Sequence, residues 1–354
     1  YWCNITAMTK KIRITRRAFL RNSGAALAIG AAGAAGAPLR AEEQLSFLLG
    51  TGTTGGTYYP VGVAIATLVK VKLQPKTGIA MSAITSAGSG ENLKLLRENQ
   101  VQFAIVQGLW GAHARAGSGP LAGAGPQAHL RGVSMLWPNV EHFIIRAEYA
   151  QSGTVADLEK LAGQGFSIGK RNSGTEGSNR HIFAGLGIDP EAAFDLAYLG
   201  YGPSADALIN GKIAGMSTPA GPPVSAATRA FAALGGDIQI LSFTEDERQR
   251  ANGGFDLWTP YTLSAGTYPE QANDVATIAQ PNFLAVRADV DNEAVYRITQ
   301  AMHENLPFLN NIHKATKAIS LESALGGLPV ALHAGAARYY QERGLDIPGA
   351  LLAG

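Results

Sequence analysis

The sequence predicts an α/β protein of two lobes, each a mostly parallel sheet flanked by helices, joined by crossing strands with a hinge between them. Three observations predict it. Apolar runs of five to seven residues alternate with stretches of helical spacing, the pattern of a parallel sheet covered by helices. The alternation runs once over 45–107 and starts afresh at 165. In both stretches the strand ends pass into turns of glycine and hydroxyl residues that open a helix, and in open α/β sheets ligands sit at that carboxyl edge.

The first unit begins with a strand at 45–49. It runs into Gly50-Thr51-Gly52-Thr53-Thr54-Gly55-Gly56-Thr57-Tyr58-Tyr59-Pro60, and a helix is expected from near Tyr58 through 71. Glycines let the backbone approach a guest closely, and Thr53, Thr54 and Thr57 are candidate caps for that helix. The N–H groups of its first turn and the positive end of its dipole make a site for a carboxylate or phosphate. No Lys-Ser or Lys-Thr pair follows the glycines, so a P-loop is not indicated. A tight connection with nothing bound is the competing reading.

A second strand, 79–84, ends at Thr85-Ser86-Ala87-Gly88-Ser89-Gly90 and opens a helix over 91–99; a third, 101–107, ends at Gln107. Gly108-Leu109-Trp110 follow, with Trp110 either lining a pocket or sitting in the core. Residues 116–126, rich in Gly, Ala and Pro, read as a surface loop. Strands are expected at 130–137 and 140–146, the second carrying the chain out of the first lobe.

The second lobe starts with a short helix at 154–158 and a strand at 165–169. Lys170-Arg171-Asn172-Ser173-Gly174-Thr175-Glu176 then opens a helix to about 186 and mirrors the first loop. Ser173, Gly174 and Thr175 would face a ligand from the opposite side, and Arg171 is either a charge-assisted partner for a carboxylate or a solvated surface residue. Strands at 193–199, 213–217 and 238–243 and a helix at 203–210 complete the unit, with Tyr201, Thr218 and Pro219 as secondary candidates at the same edge. A strand at 276–285 returns to the first lobe, and 293–309 reads as one long amphipathic helix. The expected boundaries are 42–143 with 276–354 for lobe I and 144–275 for lobe II.

At the beginning of the chain, 1–9 reads as extension, with Met8 a natural start. Thr15-Arg16-Arg17-Ala18-Phe19-Leu20-Arg21 and the Ala/Gly-rich run 25–37 have the order of a twin-arginine export signal, with cleavage expected after Ala41. Residues 1–41 hold seven of the 29 basic residues and none of the 27 acidic ones, so the remainder is acidic by five charges. That balance argues against nucleic acid as a partner. The single cysteine, Cys3, lies in the segment expected to be removed, which leaves neither disulfide nor thiol nucleophile. The histidines form no metal-ligand spacing and no Gly-x-Ser-x-Gly elbow occurs, so no metal, cofactor or catalytic residue is expected. A secreted α/β hydrolase with a serine nucleophile is the alternative reading, and a nucleotide-binding regulatory module is a weaker third, because regulators are not usually exported.

Several of these motifs resemble the TAXI-type solute-binding proteins of tripartite ATP-independent periplasmic (TRAP) transporters. The resemblance is carried by the opening Gly/Thr loop with Tyr58-Tyr59-Pro60, by Gly88-Ser89-Gly90-Glu91-Asn92-Leu93, by Phe103-Ala104-Ile105-Val106-Gln107, by Ser173-Gly174-Thr175, and by Leu332-His333-Ala334-Gly335-Ala336-Ala337-Arg338-Tyr339-Tyr340. It implies a type II-like periplasmic binding protein, monomeric, without enzymatic activity, that closes on an organic anion and delivers it to membrane permease subunits. Family members bind amino acids such as glutamate and dicarboxylates such as 2-oxoglutarate. Trp110 and Lys170-Arg171 depart from the family pattern, which leaves aromatic and branched acids open.

Overall fold

The computed structural model describes residues 44–352. The extension, the twin-arginine segment and the cleavage region expected in 1–41 lie outside the described residues. Eleven strands follow in chain order among the described residues. In the first half these are β1 (Leu45–Gly50), β2 (Ile79–Ile84), β3 (Phe103–Gln107), β4 (Leu130–Val140), β5 (Phe143–Arg146) and β6 (Gly165–Ser167). The rest are β7 (Asp195–Ala197), β8 (Gly215–Ser217), β9 (Ile238–Ile240), β10 (Thr259–Leu263) and β11 (Val275–Arg287).

They form two mixed sheets flanked by helices, the two-lobe α/β architecture of periplasmic binding proteins. The first sheet has the order β10-β11-β3-β1-β2, with β4 also pairing on β11; the second runs β7-β6-β8-β5-β9. In each sheet three strands are parallel, β2-β1-β3 in one and β7-β6-β8 in the other. Their carboxyl ends carry the loops 50–57, 85–88, 169–173, 198–200 and 218–219 to one edge. That is the geometry the strand-loop-helix repeats predict.

The long antiparallel pair β4 and β11 forms the crossing. It stays paired from Leu130 with Arg287 to Val140 with Ala279, and its register shifts near Asn282–Phe283 and Leu284–Ala285 bend the ribbon. Val140 also bridges to Ala220 of the second lobe. The expected strand at 140–146 is interrupted: the chain turns at Glu141 and His142, both fully buried, and Phe143 starts β5 in the other sheet. His142 fixes this turn, its ring contacting Val140 O at 2.8 Å and the Tyr268 hydroxyl at 2.8 Å. Thr259–Leu263, within the range assigned to lobe II, pairs with β11 in the first sheet while Leu263 packs in a core of the second lobe.

Helices at Gly108–Ala116, Ser225–Leu234 and Glu245–Asn252 have no counterpart in the sequence reading. The last carries a capping box between Thr244 and Glu247, a signal present in the sequence. The expected helix 293–309 is two: it stops at Glu304 and restarts at Leu306, because Pro307 has no N–H to continue the ladder and its ring would collide with the preceding turn.

One buried asparagine ties the loop ends in each lobe. Asn92 donates to Thr51 O (2.7 Å) and Ile105 O (2.9 Å) and accepts from Ser86 Oγ (2.7 Å), which joins the ends of β1, β2 and β3. Asn179 does the same in the second lobe, donating to Ile168 O (2.9 Å) and accepting from Ser217 Oγ (2.8 Å). Each sits on the helix that follows its glycine loop, so the loops are held at both ends.

Candidate functional site

Between the lobes lies a small, nearly closed cleft of about 40 Å³. Residues from both lobes line it. Gly52, Thr53, Gly56, Thr57 and Tyr58 come from the first loop, Ala87, Gly88 and Ser89 from the second, and Gln107 from the end of β3; opposite stand Gly174, Thr175, Tyr201, Pro219 and Ala220.

Four helices start at this cleft, two from each lobe: Tyr58–Lys72, Ser89–Arg97, Gly174–Leu186 and Tyr201–Ile209. Helix geometry leaves the first N–H groups of each without an intrahelical partner, and the four dipoles add their positive ends. No charged side chain lines the space among the described residues. An anion would be held by oriented N–H groups and hydroxyls alone.

Ser173 caps its helix, its Oγ accepting from Glu176 N at 3.0 Å. Thr57 occupies the equivalent place in lobe I but does not cap: its Oγ1 donates to Gly221 O, 2.7 Å away in the second lobe. Other contacts cross at the same corner, Ser225 Oγ and Ala226 N both donating to Gly55 O at 2.9 and 3.3 Å. On the far side Glu91 N donates to Asn172 O at 3.0 Å. The lobes are therefore closed on each other.

Glycines allow that approach. A Cβ on Gly55 would stand 2.7 Å from Gly202 N, and one on Gly90 would stand 2.6 Å from Asn172 O, both across the lobe boundary. A Cβ on Gly174 would fall 2.3 Å from Gln107 Oε1. Gly88, at φ +122°, adopts a backbone that side-chain-bearing residues rarely reach, against Gly174 N.

Both tyrosines of the cleft have their protons engaged. Tyr58 OH donates to Asn282 Oδ1, and Tyr201 OH donates to Pro219 O at 2.5 Å while Thr175 Oγ1 lies 2.9 Å from it. Burial pushes both phenols above their usual range, so they stay neutral. Ser89 Oγ accepts from Gln107 N at 3.1 Å. Gln107 is 3% exposed, and its Oε1 has no donor.

Of the residues singled out from sequence, Thr53, Tyr58, Gln107, Gly174, Thr175, Tyr201 and Pro219 come together at the cleft. The others stand elsewhere. Thr54 is exposed to solvent on the outer face of its loop. Ser86 is spent inside lobe I, donating to Thr51 O and Asn92 Oδ1. Ser173 acts as a cap behind the cleft wall, and Thr218 is buried with its Oγ1 facing no partner. Arg171 is exposed and lies over the Tyr198 ring, 3.6 Å from its centre, so its guanidinium points along the surface of lobe II. Trp110 is 6% exposed and packs on Gly90 and Gly177, lining a separate cavity with His113 and His181.

Ser89, Thr57 and the small residues Gly52, Gly56, Ala87, Gly88 and Ala220 line the cleft without having been singled out for it. Ser89 had a usable signal, a hydroxyl at a helix start directly after a strand-end turn, the logic applied to Ser173.

Behind the cleft, at the turn between β4 and β5, Glu141 is fully buried. Trp258 Nε1 donates to its Oε1 at 2.9 Å and its Oε2 is unpartnered. Burial raises its carboxyl to about 8, against the lowering effect of Trp258 and Gln280. His142 beside it is held down to about 4, again by burial.

Two sheets, a bent crossing ribbon and a neutral cleft at the parallel strand ends define a two-lobe binding-protein fold. The same architecture is found in MatC from Rhodopseudomonas palustris with bound malate, at TM-score 0.53 and 14% identity over 84% of this chain and 98% of that one. The periplasmic binding protein BugD is similar at TM-score 0.50 and 12% identity, over 84% and 93% of the two chains. At these identities the likeness is one of fold. By sequence, the chain belongs to the NMT1-like family, whose model matches residues 49–344.

Proposed function

We propose that this protein is an exported solute-binding protein of the TAXI type, which captures a small organic acid between its lobes and hands it to a TRAP permease in the periplasm. Export through the twin-arginine pathway, a monomeric mature chain and lobes divided at 143 and 275 belong to the same reading. The observation that carries it is the convergence of four helix N-termini, two from each lobe, on one cleft that no charged side chain lines among the described residues. Such a site favours an anion, and the contacts across it link binding to closure. The TAXI-like motifs are what suggest a TRAP permease as the partner.

The hydrolase reading finds less support. Ser89 and Ser173 bond to backbone N–H groups, and no histidine lines the cleft among the described residues. A nucleophilic serine needs a base within hydrogen-bond reach.

The test is a thermal-shift screen of the purified protein against hydroxy, oxo, amino and dicarboxylic acids, followed by calorimetry and a product assay on each hit. A ligand at 100 times its Kd adds about 2.7 kcal/mol, a shift of roughly 2 °C or more at this size. The expected result is a saturable shift without turnover, weakened by Thr53→Ala and Thr175→Ala. No shift with any acid, or consumption of the hit, would refute the solute-binding reading.

A further inference from the structure

We propose that the cleft takes a short monocarboxylate, of about two to four carbons, with Tyr201 as the residue that sets the length limit. The inference rests on the solute-binding reading above and deepens it by naming the class of acid. It follows from how much space the closed lobes leave and from what fixes the walls of that space.

The cleft is about 40 Å³. A water takes roughly 10–15 Å³ of such space, so about three water-sized groups fit. Bonded atoms stand closer than waters do, and an acid the size of acetate, propionate or lactate is accommodated. A five-carbon diacid such as glutarate would overfill the cleft.

The walls cannot retreat by a change of rotamer. Tyr58 donates to Asn282 Oδ1 on β11, and its ring lies edge-on to Trp137 of β4, with ring centres 6.0 Å apart, so it is anchored to the crossing ribbon. Opposite, Tyr201 donates to Pro219 O at 2.5 Å and accepts from Thr175 Oγ1 at 2.9 Å. Its ring reaches across the lobe boundary onto the first loop, where a Cβ on Gly56 would stand 3.1 Å from both Cδ2 and Cε2 of the ring. A longer ligand would have to hold the lobes apart, at the expense of contacts such as Thr57 Oγ1 to Gly221 O and Glu91 N to Asn172 O.

The polar groups match one carboxylate. The helix N-termini, Thr53 Oγ1 and Gln107 Nε2 supply neutral donors at the cleft. A second carboxylate in so small a space would need a cation of its own, and none lines the cleft among the described residues. The arginines in or beside the two lobe II helices are engaged: Arg180 with Glu176 and Glu191, Arg229 with Asp206, and Arg171 over the Tyr198 ring.

The experiment is calorimetric titration of the purified protein with a length series: acetate, propionate, lactate and butyrate against succinate, glutarate and 2-oxoglutarate. A short acid should bind tightest, with the five-carbon diacids weaker by about tenfold or more. Tyr201→Ala should shift the ratio toward the five-carbon diacids by about tenfold. Tyr201→Phe, which keeps the ring, should keep the short-acid preference. Thermal melts establish that each variant is folded, and the wild-type series decides the length limit without any variant.

A five-carbon diacid less than about tenfold weaker than the best short acid would overturn the inference. So would a folded Tyr201→Ala variant with the wild-type length preference. Silence of the short acids while a longer acid binds overturns the length limit alone; silence toward every acid overturns the solute-binding reading itself.

Discussion

Gly55→Ala should loosen closure without harming the fold. Gly55 does not have a positive φ, so alanine is tolerated by the backbone. Its Cβ, however, would lie 2.7 Å from Gly202 N, 3.2 Å from Tyr201 Cβ and 3.3 Å from Gly202 Cα, and all three atoms belong to the opposite lobe. The nearest is roughly 0.8 Å inside the optimal non-bonded separation, and two of the three are backbone atoms that cannot swing aside. The lobes would have to part at this corner.

Parting by that amount stretches three contacts to or past the limit of hydrogen-bond length: Thr57 Oγ1 to Gly221 O (2.7 Å), Ser225 Oγ to Gly55 O (2.9 Å) and Ala226 N to Gly55 O (3.3 Å). At about 0.5–1.5 kcal/mol each, the closed state loses roughly 1.5–4.5 kcal/mol. Affinity should fall by about ten- to a thousandfold, because the ligand is enclosed only when the lobes meet. The assay is calorimetric titration with the best acid from the screen, beside thermal unfolding of the ligand-free protein. The ligand-free melting temperature should stay within about 2 °C of wild type. Unchanged affinity would refute the reasoning, and so would a large drop in ligand-free stability, since the steric conflict would then lie within a lobe.

Three further outcomes are expected. Asn92→Ala should destabilise lobe I by about 3 kcal/mol, since Thr51 O and Ile105 O lose a donor in a buried site; a denaturant midpoint equal to wild type would remove Asn92 from its structural role. Glu141, raised to about 8 in the fold against 4.5 unfolded, stabilises the protein fully below its unfolded value, and this contribution is lost as pH rises through about 8. Melts from pH 5 to 9 should therefore show a decline that Glu141→Gln flattens, while His142, held down to about 4, opposes it only below pH 6.5; parallel profiles for the two proteins would contradict this. Arg171→Ala should change affinity by less than about threefold, because the guanidinium is stacked on Tyr198 outside the cleft; a loss of an order of magnitude would place it at the ligand.

The two-lobe α/β architecture, the strand ends that bear the loops and half of the residues that line the cleft are readable from the sequence. Those signals are local: apolar runs, helical spacing, and glycine with hydroxyl at a helix start are set within a few residues. Thr53, Tyr58, Gln107, Gly174, Thr175 and Tyr201 were legible for that reason, and Ser89 was within reach of the same logic.

Where the side chains of those loops make their contacts depends on the packed structure. Thr57 reads as a cap and instead binds Gly221, 164 residues away. Arg171 reads as an anion partner and instead stacks on Tyr198, and Trp110 packs between two glycines from different lobes. The turn at Glu141 and His142 was invisible because its partners, Trp258 and Tyr268, are brought there by the other lobe. The Arg171 stacking is a contact within lobe II, but the outcomes at Thr57 and Trp110 depend on how closely two lobes approach, and that distance is set by missing side chains at Gly55, Gly90 and Gly174, which local patterning along either lobe does not encode.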